Sequence, residues 1–152
     1  MMPKSITVGE LLNNEHYVQV TGDEKSLERP IYVAEINRPG FELAGFFKHS
    51  DFRRIIIFGD KESAFINEMS EERQREIFPF LINDEVPCII VAKGNECPAI
   101  LIEIARKKDF PIFITESATG RVSIELTNIL DEALAPETLI HGVFLNIYGK
   151  GV

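Results

Sequence analysis

Cysteine is scarce in this 152-residue sequence, long apolar runs are missing, and positive charge is in the minority. The only two cysteines, Cys88 and Cys97, have no CxxC spacing and no histidine cluster beside them, which excludes a zinc site of the usual kind. Cys88 lies in the apolar run Pro-Cys-Ile-Ile-Val, so both thiols read as reduced and structural. No apolar stretch reaches the ~18 residues of a membrane span, and residues 1–20 lack the apolar core of a signal peptide. A cytoplasmic location with no membrane partner is the expectation. Sixteen Lys and Arg against 24 Asp and Glu leave a net charge of −8, and no long basic run occurs. Nucleic-acid binding needs clustered positive charge to displace counterions, so no nucleic-acid partner is expected.

Several catalytic signatures are missing as well. There is no GxGxxG after a strand, no GxxxxGK[ST] loop and no GxSxG elbow. His16, His49 and His141 stand far apart and lack metal-ligand spacing. What remains is an ordinary globular composition, 45% hydrophobic and 26% charged, long enough for one domain. Such a chain buries roughly two thirds of the surface its unfolded form exposes, so a real core is expected without disulfides or metals.

The first fifty residues read as a short helix over Thr7–Asn14, capped by Thr7, and as strands at 17–20 and 31–34. Residues 36–45 fit neither period; Pro39-Gly40 marks a turn, with a turn or two of helix over Phe41–Phe47. From residue 54 the pattern is regular. Continuous apolar runs at 54–58, 88–92 and 111–115 predict strands covered on both faces. Between the first two, a helical region over 61–83 breaks into two pieces at Ser70, an N-cap followed by two acidic residues. Pro79 should kink or end the second piece. Pro98 opens a helix to about Lys108 with Ile100, Leu101, Ile104 and Ala105 inward. Ser117 reads as the N-cap of a last helix that buries Val122, Leu126, Ile129, Leu130 and Leu134. Strands alternating with helices over short connections predict an α/β domain: a small parallel, three-layer βαβαβα unit. Ala135-Pro136-Glu137 marks a boundary. After it Leu139–Tyr148 reads as a strand of a second domain, on which the sequence stops as a truncated one would.

In an open parallel sheet, ligands bind beyond the carboxyl ends of the strands. Those ends carry Gly59-Asp60, Lys93-Gly94 and Thr115-Glu116-Ser117, followed by Thr119 and Arg121. Ser117, Thr119 and Arg121 could hold an anion at a helix start; the competing reading is that they are caps and turn residues. His141, inside an apolar strand, reads from the residues alone as a hydrogen-bonded core side chain.

Two segments carry a family resemblance. Asn37-Arg-Pro-Gly-Phe-Glu-Leu-Ala-Gly-Phe-Phe47 resembles the Ser-Arg-Pro-Gly-Leu-Glu-Leu-Ala-Gly-Tyr-Phe segment of bacterial HPr kinase/phosphorylases. Leu134–Val152, with His141-Gly-Val, resembles that family's Leu-Ala-Pro…His-Gly-Val…Tyr-Gly-Val-Gly-Val stretch. Pro87–Ala92 and Arg121–Leu130 are similar to its Pro-Ala-Ile-Ile-Val strand and its Arg-Leu-Ser-Ser-Arg-Leu-Thr-Asn-Tyr-Leu helix. Departures stand at Asn37, Glu125 and Lys150, where the family carries a small residue, arginine and valine.

The resemblance implies the amino-terminal, regulatory or assembly domain over 1–135, with 136–152 beginning a P-loop kinase domain cut before its Walker A loop. Such a domain resembles the amino-terminal domain of Mur ligases. The intact enzyme would be a bifunctional serine kinase/phosphorylase of carbon catabolite repression. It would use ATP and magnesium to phosphorylate HPr, the phosphocarrier of the sugar phosphotransferase system, and remove that phosphate by phosphorolysis. It would assemble as a homohexamer. Of its catalytic residues only one, matching His141, falls within this sequence. The chain alone would be non-catalytic, with no cofactor of its own. The alternatives are a stand-alone metabolite- or anion-binding module using Ser117, Thr119 and Arg121, and, ranked last, a small independent enzyme.

Overall fold

The structure is a computed structural model and describes residues 3–136. In chain order the elements are β1 (Ile6–Thr7), α1 (Val8–Leu12), β2 (Val18–Thr21), a 3-10 turn (Lys25–Glu28), β3 (Pro30–Ile31), β4 (Ile36–Asn37) and α2 (Gly40–Leu43). Then follow β5 (Ile55–Phe58), α3 (Asp60–Glu68), α4 (Glu71–Leu81), β6 (Ile89–Val91), α5 (Ala99–Lys108), β7 (Ile112–Ile114) and α6 (Thr119–Ala133).

The three predicted strands are adjacent and parallel. Ile56–Phe58 pair with Ile89–Val91, which pair in turn with Ile112–Ile114. Two neighbours extend them into a five-stranded sheet of order β2-β7-β6-β5-β4. β4 adds in parallel through Ile36↔Ile55, and β2 adds antiparallel to β7 through Val18↔Ile114. β1 and β3 form a separate antiparallel pair.

Side chains alternate across the sheet with period two. Ile56, Phe58, Ile89, Val91 and Ile112 face one layer, where Leu43, Ile66, Ile77, Phe78, Leu81 and Leu101 bring α2 to α5 against them. Ile55, Ile57, Cys88, Ile90, Ala92 and Phe113 face the other, covered by Val8, Leu11 and Leu12 of α1 and Val122, Leu126 and Leu130 of α6. Burial on both faces is why these strands read as unbroken apolar runs. The domain is therefore the small three-layer α/β unit that the sequence predicts.

Caps set the helix boundaries. Thr7 Oγ1 accepts the Glu10 N–H at 3.1 Å while Glu10 Oε1 accepts the Thr7 N–H at 2.9 Å, a reciprocal capping box. Ser70 Oγ accepts the Arg73 N–H at 3.0 Å and separates α3 from α4 as expected. Pro79 sits in the last turn of α4, which ends at Leu81. Two expectations need correction. Ser117 is not the N-cap of α6: the helix begins at Thr119 behind Ala118, and no side chain caps it. Ser117 lies instead in the bend between β7 and α6, where its carbonyl accepts the Lys93 N–H at 2.8 Å. Ile129 is not inward but 46% exposed, because the buried stripe runs 122-126-130 and residue 129 falls about 60° from its centre. Residues 137–152, and with them His141 and the expected second-domain strand, lie outside the described residues.

Candidate functional site

All four parallel strands end on the same side of the sheet, and each supplies polar groups there. β4 leads into Arg38, β5 into Gly59-Asp60, β6 into Lys93-Gly94-Asn95 and β7 into Thr115-Glu116-Ser117. The strand ends are themselves bonded together. The Ala92 N–H donates to Phe58 O at 2.9 Å, the Gly94 N–H to Thr115 O at 3.0 Å, and the Thr115 N–H to Val91 O at 3.0 Å.

Two ion pairs occupy this rim. Arg38 grips Glu62 in a fork, with Nη2–Oε1 at 2.8 Å and Nε at 3.2 Å from both carboxylate oxygens. Glu62 is buried in the first turn of α3, and its Oε1 also accepts the Gly59 N–H at 2.6 Å. The carboxylate thus caps α3 and holds Arg38 over the strand end, a geometry that suits a planar guanidinium. Gly59 is glycine for space rather than for its dihedral angles. A Cβ there would lie 2.7 Å from both Arg38 Nη2 and Thr119 Oγ1. The second pair is exposed: Lys93 Nζ lies 2.6 Å from Asp60 Oδ2, and Asn95 Nδ2 donates to Asp60 Oδ1 at 3.0 Å. Hydrogen bonds from Lys93 and Asn95 hold the Asp60 carboxyl below its ordinary range.

The three residues singled out as an anion site do not stand in one place. Thr119 turns toward Gly59 and Arg38. Ser117 lines a cavity of about 210 Å³ at the sheet edge, beside His16, Val18 and Glu116. Arg121 is exposed on the first turn of α6. Arg38 and Glu62 escaped the sequence reading, because an ion pair across 24 residues leaves no periodic trace. The available signal was the place of Arg38 in the Asn37-Arg-Pro-Gly segment that carries the family resemblance. The first-turn amides of α6 have no side-chain cap, in contrast with those of α1 and α4.

Nucleophiles and cofactor ligands are poorly served here. Burial pushes the thiols of Cys88 and Cys97 up to about 12, so both stay protonated near neutrality. Burial, with Glu125 nearby, likewise takes the Tyr17 phenol to about 12. Among the described residues no group of three or more His, Cys, Asp or Glu is arranged to hold a metal ion. With no Walker A spacing in the sequence, these residues do not fit magnesium-bound ATP. Nor is any described helix long and apolar enough to cross a membrane.

The comparisons with known proteins agree with the segments quoted above. Residues 6–130 match the family model described as HPr Serine kinase N terminus. The chain is 35% identical over 151 residues to the HPr kinase/phosphorylase of Bacillus cereus (strain AH820), covering 99% of this chain and 48% of that protein. The same-named proteins of Bacillus mycoides and Bacillus cytotoxicus are 36% and 34% identical over the same share. The chain therefore spans about half the length of the curated relatives it matches. Among solved structures, the CBS and DRTGG domains of the regulatory region of Clostridium perfringens pyrophosphatase, complexed with diadenosine tetraphosphate, superpose with a TM-score of 0.49 at 20% identity. That match covers 80% of this chain and 46% of the other. By the extent of the family match and the identity to these relatives, the chain belongs to the family of HPr serine kinase amino-terminal domains.

Proposed function

We propose that the chain is the amino-terminal regulatory or assembly domain, over 1–135, of a bifunctional HPr serine kinase/phosphorylase. Residues 136–152 would begin its P-loop kinase domain. The observation that carries this reading is the family match over 6–130, in a chain spanning 48% of relatives named HPr kinase/phosphorylase. ATP, magnesium and HPr then belong to the kinase half of a cytoplasmic, hexameric parent enzyme. Phosphoryl transfer is positioning and charge stabilisation by the P-loop amides, its lysine and magnesium, so this chain alone should leave the barrier almost untouched.

The experiment compares two proteins. Labelled ATP and HPr are incubated with the 152-residue chain, and with the chain extended by the genomic sequence that follows Val152. The reading expects transfer by the extended protein and none by the chain. Stoichiometric transfer by the chain, or a downstream sequence without a Walker A loop, would sink it. The same pair tests His141, which the reading assigns to the phosphate-binding region of the intact enzyme. His141→Ala should slow kinase and phosphorolysis rates there while leaving melting temperature and oligomeric state unchanged.

The second reading, a metabolite- or anion-binding module at the strand ends, is favoured by the uncapped start of α6 and by Thr119 beside Gly59. The pairing of Arg38 with Glu62 and of Lys93 with Asp60 weighs against it, because a phosphate would have to compete with a carboxylate already in place. Calorimetric titration with inorganic phosphate and sugar phosphates separates the two: saturable binding lost in Thr119→Val favours the module.

A further inference from the structure

A cavity of about 440 Å³ opens between the C-terminal end of α1, the 3-10 turn and β2, on the sheet face that α1 covers. Leu12, Leu27 and Phe113 give it apolar walls. Gly9 lets the 3-10 turn approach α1, for a Cβ there would lie 3.2 Å from Leu27 Cβ. The polar groups come from Asn13, Tyr17 and Gln19 and their neighbour Asn14, and none of the lining residues is an acid or a base. The cavity beside Ser117 differs in this respect, for it carries Glu15, His16 and Glu116.

Two of these polar groups stand together and are unspent. Gln19 lies directly opposite Phe113 in the β2–β7 pairing, so both side chains share one sheet face. Tyr17, two residues earlier at the entry to β2, packs its ring against the same layer. Both N–H groups of the Gln19 amide are used, on Thr21 O and Gly22 O at 3.0 Å each. Two carbonyl partners identify that atom as the nitrogen, and they leave Gln19 Oε1 an acceptor with no partner among the described residues. The Tyr17 hydroxyl likewise bonds to no described residue. The burial that raises its phenol keeps it protonated near neutrality, so it is a donor. Half-buried polar groups without partners are costly, and a ligand that meets both removes that cost.

We propose that this cavity binds a small uncharged ring carrying an N–H beside a C=O, the N–H donating to Gln19 Oε1 and the C=O accepting from Tyr17 Oη. An ionised ligand would surrender its hydration without finding a counter-charge in the lining. A sugar, with hydroxyls on every side, would press several of them against Leu12, Leu27 and Phe113. A planar cyclic amide gathers its polar atoms on one edge and leaves the rest apolar, which matches how the lining is divided. The site shares no residue with the strand-end rim, so it stands apart from both functions proposed above.

Amide NMR spectra of the 152-residue chain, titrated with uracil as the probe, test the site. The expected result is saturable shifts, largest at Gly9, Asn13 and Gln19, with a dissociation constant of about 1 mM, as for a fragment of this size. In 1,3-dimethyluracil both N–H groups are blocked. It should bind the unaltered chain about 10-fold more weakly or worse, because Gln19 Oε1 is then covered without a donor. Tyr17→Phe keeps the packed ring and removes only the hydroxyl, and should weaken uracil about 3- to 10-fold with the melting temperature nearly unchanged. Shifts that stay linear up to about 20 mM uracil overturn the proposal. So does 1,3-dimethyluracil binding as tightly as uracil, or a folded Tyr17→Phe chain that binds uracil as before. Glucose saturating the same amides as strongly as uracil would overturn the chemical class. The methylated probe decides the matter on the unaltered chain even if the variant does not fold.

Discussion

From Ile55 onward, elements hold their places by burying apolar side chains from close neighbours in the chain, on both faces of the sheet. Before Ser50 the apolar anchors are few, namely Val8, Leu11, Leu12, Ile31 and Leu43, and polar contacts to residues far along the sequence supplement them. Thr21 Oγ1 donates to Phe110 O at 2.7 Å and accepts the Ile112 N–H at 3.0 Å. The Asp23 N–H donates to Asp109 Oδ1 at 2.8 Å. Arg29 donates to the carbonyls of Asn83, Val86 and Pro87 and lies 5.0 Å over the Phe110 ring. Arg38 reaches Glu62. A segment with few strand residues can thus still complete a sheet when specific donors and acceptors add to a small apolar contact.

Phe78 is fully buried beneath the sheet, and Phe78→Ala should cost about 3–5 kcal/mol in urea unfolding, the range for deleting a core aromatic. A loss near 1 kcal/mol would mean that α4 collapses into the gap and that this layer is loosely packed. Arg29→Met keeps much of the stem but abandons three carbonyl acceptors, and should cost about 2–4 kcal/mol. If it is neutral, the polar fastening of the first fifty residues is decorative. Thr21→Val is nearly isosteric and leaves the Ile112 N–H without its acceptor, so about 1–3 kcal/mol should go. Hydrogen exchange should quicken at β2 and β7 before it does at β5 and β6.

The smallest effect concerns acid. Glu10, Asp51, Asp60 and Glu103 are each held below their ordinary values, chiefly by hydrogen bonds from Thr7, Arg53, Lys93 and Arg75 respectively. A carboxylate whose folded value is depressed contributes stability above its unfolded value and loses it as pH falls through the folded one. The melting temperature should therefore decline below about pH 4.5. Asp60→Asn should lie slightly below the parent near pH 6 and converge with it as pH falls through the depressed folded value of Asp60, where that group becomes protonated in both states. A gap that stays constant across this range would show that Lys93–Asp60 contributes nothing through charge.

What was legible follows the same division. Strands 54–58, 88–92 and 111–115, the break at Ser70 and the cap at Thr7 rest on local chemistry, namely apolar runs and N-caps, which one sequence displays. The antiparallel placement of β2 against β7 was not legible, because pairing between residues 91 apart leaves no local mark. Ile129 was misplaced since an apolar residue one step off a helical stripe looks much like one on it. Ser117 is not the cap because α6 starts two residues later, at Thr119, and a serine in the bend before a helix looks in sequence like an N-cap. Of the site residues, Thr119 alone reaches the Gly59–Arg38 corner, and that corner depends on a glycine chosen for the room it leaves.

The antiparallel edge strand also fixes an order of events during synthesis. Val18–Thr21 leave the ribosome early, yet their partner Ile112–Ile114 is made about ninety residues later. At roughly 5–20 residues per second, β2 waits roughly 5–18 seconds with both edges unpaired. β5 and β6, by contrast, are joined by two helices and can meet as soon as Val91 emerges. A parallel nucleus around β5, β6 and the α3–α4 pair should thus form first, with the amino-terminal strand closing the sheet last. Val18 is still 56% exposed in the finished fold, so the waiting strand offers little apolar side-chain surface while it is alone. A ribosome-arrest series should show protease protection of residues 55–91 before that of residues 18–21, with the latter appearing only once Ile114 has cleared the exit tunnel.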